Sequence, residues 1–355
     1  MYLTVLGVVV MTAGVATVVR SVVVRRLALG VAIASMILVA GLRNAKVGTD
    51  TSNYVQYFDH IRTLGDIGRV GGETQEYGFW VLTWLSHYLS DDYAGFFLLI
   101  ATVVVLCYHR AICAYSRNIG ISYYVFITYG VYIFFFNGAR QGVACAIYAL
   151  AIGPLLNRSF PKYVVLVLLA SVFHKTALGM IPLYFVYNRS FSFKSIAMIM
   201  VLGVLTSVFL QKIITVASGF DPRYSQYGAD IGTAGGYYYV AMDLAFVIFF
   251  TGIRKKILVH FEEYDRYLNM AYFGVMIDLV ATLAGVDPSG ILRLGFYSSI
   301  YMVLIWPIVF ENLSEPLTRF VVGYLFVIGF ILLFTLTLRQ QSDLTPYIFN
   351  PSLHL

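Results

Sequence analysis

Apolar residues run over stretches longer than a soluble core requires, and the polar residues between them fall in short clusters. The runs at 2–19, 121–136, 195–210 and 318–338 are apolar on every face of a helix. A bilayer-spanning strand would instead alternate over about ten residues, so the pattern predicts helices that satisfy their own backbone hydrogen bonds in lipid. Spans are predicted at 2–19, 27–42, 93–109, 121–136, 141–156, 195–217, 237–253, 267–285, 292–310 and 318–338. Several are short against the roughly 20 residues of a perpendicular crossing. Residues 163–187 read either as one long helix or as two half-helices broken at His174-Lys175. The predicted fold class is an all-α polytopic integral membrane helix bundle, one domain over residues 1–355, with about 10–12 membrane segments.

Basic residues sit in short loops at Arg20 to Arg26, Arg110 to Arg117, Arg158 to Lys162, Arg189 to Lys194, Arg254 to Arg266, and at Arg319. Positive residues collect on the cytoplasmic side. These loops share one side only if 163–187 enters and returns as a re-entrant or hairpin segment, with His174 at its far turn. Both termini and the loops 43–92 and 218–236 then face outward. The 43–92 loop carries seven acidic residues. Within it, Tyr77 to Leu89 reads as a short amphipathic helix whose Trp80 and Trp84 suit the headgroup level.

Composition agrees with the pattern: 59% of residues are apolar, 12% are charged and the mean hydropathy is +0.79. The net charge of +6 is scattered and forms no stripe, so no nucleic-acid partner is expected. Cys107, Cys113 and Cys145 lack metal-ligand spacing, and an odd count excludes a fully paired disulfide framework. No metal or other cofactor is expected.

Charged groups at membrane depth are costly and mark candidate sites. Gly41 to Tyr54 ends a helix in a turn holding Arg43 and Lys46; Gly48 permits a tight backbone approach, and Asp50 or Thr51 could cap the next helix. The plain alternative there is a loop with a snorkelling arginine. Asn137-Gly138-Ala139-Arg140-Gln141 separates two apolar runs, so Arg140 sits at a membrane boundary, where its planar fork matches phosphate oxygens. His174-Lys175 is an anion ligand, a proton carrier or only a satisfied interhelical donor. Arg293 lies about one turn inside a helix after Asp287-Pro288-Ser289-Gly290, facing either a bound anion or a structural partner such as Asp278 or Asp287. Asp243 and Asp278 are intramembrane candidates for a structural pair or a proton path. The cations Arg43, Lys46, Arg140, Lys175, Arg223 and Arg293 together suit a lipid-linked phosphate or pyrophosphate. Asn53, Tyr54, Tyr57, Gln75, Tyr224, Gln226 and Tyr227 offer polar and aromatic surface to sugars.

At these residues the chain resembles the EpsG family, a branch of the Wzy-type polysaccharide polymerases. The elements are Arg43 with Val47-Gly48-Thr49-Asp50-Thr51 and Tyr54, then Glu76-Tyr77-Gly78, Asn137 with Arg140-Gln141, Phe173-His174 with Thr176-Ala177, Arg293 with Tyr297, and Pro346-Tyr347. They run in order over roughly residues 40–350. Lys175 departs from the pattern, where a small polar residue is more usual. The resemblance implies a GT-C-like glycosyltransferase of the bacterial inner (cytoplasmic) membrane with its active site facing the periplasm. It would join undecaprenyl-pyrophosphate-linked oligosaccharide units into O-antigen or related surface polysaccharide, without a metal. Donor, acceptor and bilayer are the implied partners, with a chain-length regulator and a flippase of the same pathway. The residues singled out as catalytic are Arg140, Arg293, His174, Asp50 and Glu76, the last three being alternative bases. Those for substrate binding are Arg43, Asn44, Lys46, Thr49, Tyr54, Asn137, Gln141, Lys175, Arg223 and Tyr297. The loops 43–92 and 218–236 would cover the site. The main alternative is a transporter or flippase of lipid-linked oligosaccharide; clustering of charge at one face and the lack of an internal repeat weigh against it. A membrane acyltransferase would be expected to show a histidine with a carboxylate partner, and none is adjacent to His174 in the sequence.

Overall fold

Side-chain caps open the long apolar helices. Ser21 accepts from the Val24 backbone N–H at 3.5 Å, Asp92 from Ala94 at 2.8 Å and Asn118 from Ile121 at 3.1 Å. The computed structural model describes residues 1–74, 76–189, 237–284, 291–340 and 343–353, with scattered positions between 191 and 219. Among the described residues the regular structure is helical, and the one extended pairing is an antiparallel bridge between Arg43 and Phe349.

The chain divides into two compact units, Met1–Ile181 with Trp306–Leu355, and Pro182–Ile305. The first unit opens with α1 (Tyr2–Val18), α2 (Val22–Gly41), α3 (Thr51–His60), α4 (Leu64–Thr74), α5 (Tyr77–Ser86) and α6 (Tyr93–Tyr115). It continues with α7 (Ile119–Thr128), α8 (Val131–Asn137), α9 (Ala139–Ala149), α10 (Ile152–Leu156) and α11 (Phe160–Ser171). Gly130 divides α7 from α8 in a left-handed conformation, φ 89°. The second unit holds α12 (Leu183–Tyr187), α13 (Tyr237–Leu258) and α14 (Tyr264–Ala284). Next come α15 (Ser299–Asn312), whose residues fall in both units, and α16 (Pro316–Gln340), which belongs to the first.

Among the described residues, five stretches are long and apolar enough to cross a membrane: Val22–Gly41, Tyr93–Tyr115, Ile119–Asn137, Ala139–Leu156 and Pro316–Arg339. The chain is thus a helical protein of membrane character, as its hydropathy predicts. α9 lies at the centre of the first unit. Each of its residues except Arg140 is buried, and its Ala, Gly and Cys positions let neighbouring helices approach closely. α2 and α16 leave most of their apolar surface exposed, the arrangement expected of helices facing lipid.

Three expectations need correction. Residues 43–92 form three helices rather than a loop with one helix. α3 buries Thr51, Tyr54 and Phe58, a helical spacing that the polar residues between them disguise. Trp80 is not at a headgroup surface: it is fully buried, with Tyr57 edge-on at 4.9 Å. The span predicted at 292–310 is a 3-10 helix, Ile291–Tyr297, followed by α15. At 163–187 the break falls where His174-Lys175 predicts it: α11 stops at Ser171, a 3-10 helix runs Lys175–Met180, and α12 follows. The span predicted at 195–217 lies mostly, and the loop at 218–236 almost wholly, outside the described residues.

Candidate active site

Three polar side chains from distant parts of the first unit meet directly. Arg140 donates through a terminal guanidinium nitrogen to Glu76 Oε2 at 2.8 Å, and His174 Nδ1 lies 2.7 Å from Glu76 Oε1. An ionised carboxylate only accepts, so Nδ1 carries the hydrogen and Nε2 of a neutral ring is left as an acceptor. The carboxylate is nearly sealed, with 2% of its side chain exposed, whereas Arg140 keeps 27% and His174 23%. The arginine and histidine are therefore the two members that a ligand can reach. Arg140 also lies over the Trp80 ring, 5.8 Å from its centroid.

Local backbone features bring the three together. Glu76 occupies the N-cap of α5 but leaves the cap unmade, and its side chain turns to Arg140 and His174 instead. The positive end of α5 favours a carboxylate there. Gly78 N–H donates to Val172 O at 3.1 Å. A Cβ on Gly78 would stand 2.8 Å from Val172 Cγ1 and 3.1 Å from Val172 O, so only glycine lets α5 dock against the end of α11. That docking brings Glu76 to His174. Gly78→Ala is expected to separate them and lower activity about a hundredfold, the scale of a 1 Å misplacement at a reacting centre. Product formation at matched membrane levels checks this; unchanged activity would contradict it.

Arg140 is set by the break between α8 and α9. The Tyr54 hydroxyl donates to Asn137 O at 2.8 Å and accepts from Ala139 N–H at 3.0 Å, closing the break from both sides. Gly48, φ 99°, comes so close that a Cβ there would be 2.5 Å from Asn137 Oδ1. The Asp50 backbone N–H reaches the same oxygen at 3.5 Å. The turn holding these groups is itself locked, with Lys46 N–H donating to Asn44 Oδ1 at 2.9 Å and Thr51 Oγ1 to Val47 O at 2.6 Å.

Arg43 is not placed to bind a ligand. It is 1% exposed, with Phe97 at 3.9 Å and Phe136 at 4.7 Å from its guanidinium carbon. It donates to Ala40 O near the end of α2 and, at 3.4 Å, to Phe136 O near the end of α8. The negative ends of two helices thus stand in for a carboxylate counter-ion. Burial pulls its pKa down to about 10, so it stays a cation at neutral pH. Its predicted role as a substrate ligand gives way to that of a clamp between helix ends.

The other sequence-predicted residues divide by place and burial. Lys46 and Thr49 are exposed on the turn, while Asn44, Asp50, Asn137 and Lys175 are half-buried. Tyr54 and Gln141 are buried in the first unit, at 6% and 2% exposed. Tyr297 is fully buried in the second unit, where Arg293 lies in the 3-10 helix; the Arg293 side chain is outside what the structure describes. Asp243 and Asp278 are neighbours in the second unit, and a Cβ on Gly295 would stand 3.3 Å from Asp278 Oδ1. Arg223, Gln75, Tyr224, Gln226, Tyr227 and Asp287 lie outside the described residues.

Sequence reasoning treated Glu76, Arg140 and His174 as separate candidates and missed their contact. It also set an acyltransferase aside because His174 lacked an adjacent carboxylate; Glu76, 98 residues away, is that partner. The glycine two residues after Glu76 was the available signal, since it marks a close backbone approach. A family model described as the EpsG family matches residues 26–349. That stretch includes all three members of the cluster. No curated protein and no solved structure matches the chain.

Proposed function

The chain belongs to the EpsG family of Wzy-like polysaccharide polymerases, and we propose that it extends surface polysaccharide by transferring a growing chain between undecaprenyl-pyrophosphate carriers at the Glu76–His174–Arg140 cluster. The contact of one sealed carboxylate with both an imidazole and a guanidinium carries this reading. His174 is the base, and Glu76 is the group that orients it. In the proposed step an acceptor sugar hydroxyl gives its proton to His174 Nε2 while its oxygen bonds to the donor anomeric carbon. The bond from that carbon to the pyrophosphate oxygen breaks, and the leaving group departs with the electron pair. Glu76 stabilises the imidazolium that forms, as the carboxylate of a catalytic triad does. Arg140 faces the negative charge growing on the leaving oxygen, where a fixed donor lowers the barrier most. Arg293, in the second unit, keeps only the pyrophosphate-facing role that the family resemblance implies for it.

The re-entrant path of 163–187, the GT-C-like architecture and the periplasmic orientation belong to this proposal. They would put the break at His174 on the face where lipid-linked units are presented. The 43–92 segment, which itself carries Glu76, would border the site on that face. A chain-length regulator and a flippase would act beside it.

His174→Gln is expected to lower chain extension about a hundredfold, the lower range for loss of a general base, with membrane levels unchanged. Complementation of a polymerase-deletion strain, read as a polysaccharide ladder on a gel, checks it. A wild-type ladder that His174→Gln leaves unaltered would remove His174 from the reaction.

A further inference from the structure

The segment after α16 comes back across the turn that carries Arg43 and Gly48. Asn350 N–H donates to Leu42 O, Asn44 N–H to Ile348 O and Gly48 N–H to Asp343 O, each at 2.9 Å. The Tyr347 hydroxyl donates to Val39 O at 2.7 Å. The end of this segment is fastened by one carboxylate: Asn350 Nδ2 donates to Asp92 Oδ1, and Ser352 Oγ to Asp92 Oδ2, both at 2.6 Å. Asp92 also caps α6, so the fastening is anchored to a long helix.

The turn underneath leads to the site in two steps. Its Gly48 and Asp50 backbones abut the Asn137 side chain, and its Arg43 and Thr51 side chains both donate to Phe136 O, at 3.4 Å each. Tyr54, in the helix that follows, closes the α8–α9 break at Asn137 O and Ala139 N–H. Arg140 is the next residue. Val47, in the middle of the turn, is 0% exposed.

We propose that Asp92 and Asn350 are positioning residues for chain extension: their hydrogen bond seats residues 343–352 as a strap on the Arg43 turn, and the seated strap fixes the backbone from which Arg140 reaches Glu76. The catalytic part of this inference rests on the function proposed above. A loosened strap lets the turn and the α8–α9 break shift together. Arg140 then meets the leaving group less often in its productive geometry, which costs turnover more than binding.

Charge repulsion and charge exchange test it. Asn350→Asp sets a second carboxylate against Asp92; combining it with Asp92→Asn restores one donor and one acceptor across the pair. Strap seating is read without any activity assay, from the rate at which N-ethylmaleimide labels a Val47→Cys thiol, resolved by mass spectrometry. Asn350→Asp is expected to speed that labelling at least fivefold. It should also lower turnover about tenfold with the acceptor KM within twofold, and the exchanged pair should recover both. Ser352→Ala, which keeps the Asn350 contact, should fall between wild type and Asn350→Asp. Turnover that is lost while labelling stays slow overturns the proposal. So does labelling that rises at full turnover, or an exchanged pair that recovers neither. A wild type that extends no chain overturns the polymerase reading and the catalytic part of this inference, while the labelling rates still support or overturn the strap itself.

Discussion

Glu76→Gln is expected to abolish measurable chain extension, with a loss on the order of 10³- to 10⁴-fold, the scale seen when a triad carboxylate becomes an amide. The side chain keeps its volume, so the protein should fold and insert. Its charge is gone, however, and two groups depend on it. An amide can donate as well as accept, so it no longer dictates which nitrogen of His174 carries the hydrogen. Arg140, 2.8 Å from the Glu76 carboxylate, loses its anionic partner. Glu76→Asp should recover little, because a carboxylate one methylene shorter cannot reach both neighbours. Activity at matched membrane levels decides; near-wild-type extension by Glu76→Gln would show that the carboxylate is structural only.

Arg43→Leu should destabilise the first unit by about 1–3 kcal/mol, the scale for leaving a buried carbonyl without its donor. The Ala40 and Phe136 carbonyls at two helix ends each lose a donor in a buried site. The rings of Phe97 and Phe136 lose the plate between them. Arg43→Lys keeps the charge, yet one ammonium cannot span both carbonyls or stack on both rings, so it should recover only part of the loss. The thermal midpoint of the detergent-solubilised protein measures this. An Arg43→Leu protein with wild-type midpoint and no activity would return Arg43 to the substrate.

The helices long and apolar enough to cross a membrane were legible because length and apolar content alone identify them, and the apolar runs coincide with α2, α6 and α16. The 43–92 segment was not, since α3 and α4 are short and α3 carries polar residues between its buried positions, so no apolar run announces them. The break at His174 could be read from two polar residues in an apolar stretch. What the break is for could not, because Glu76 is fixed to it only by the close approach of Gly78 to Val172. Arg43 was misread for a related reason. An arginine at a helix end looks the same in sequence whether it faces a ligand or the carbonyl ends of two helices, and only the burial separates the two. Trp80 likewise carries the spacing of an interfacial residue but lies beneath Arg140, packed by Tyr57 and Phe79.

The most direct test of the Glu76–His174–Arg140 account is chain extension by the purified protein in lipid vesicles supplied only with an undecaprenyl-pyrophosphate-linked oligosaccharide, with products resolved by length. The account predicts a ladder of multiple repeats from the wild type, and unextended single units from Arg140→Ala and Glu76→Gln. Single units that stay unextended with folded wild type, or that change leaflet without growing, would contradict it and favour a transporter of the same lipid.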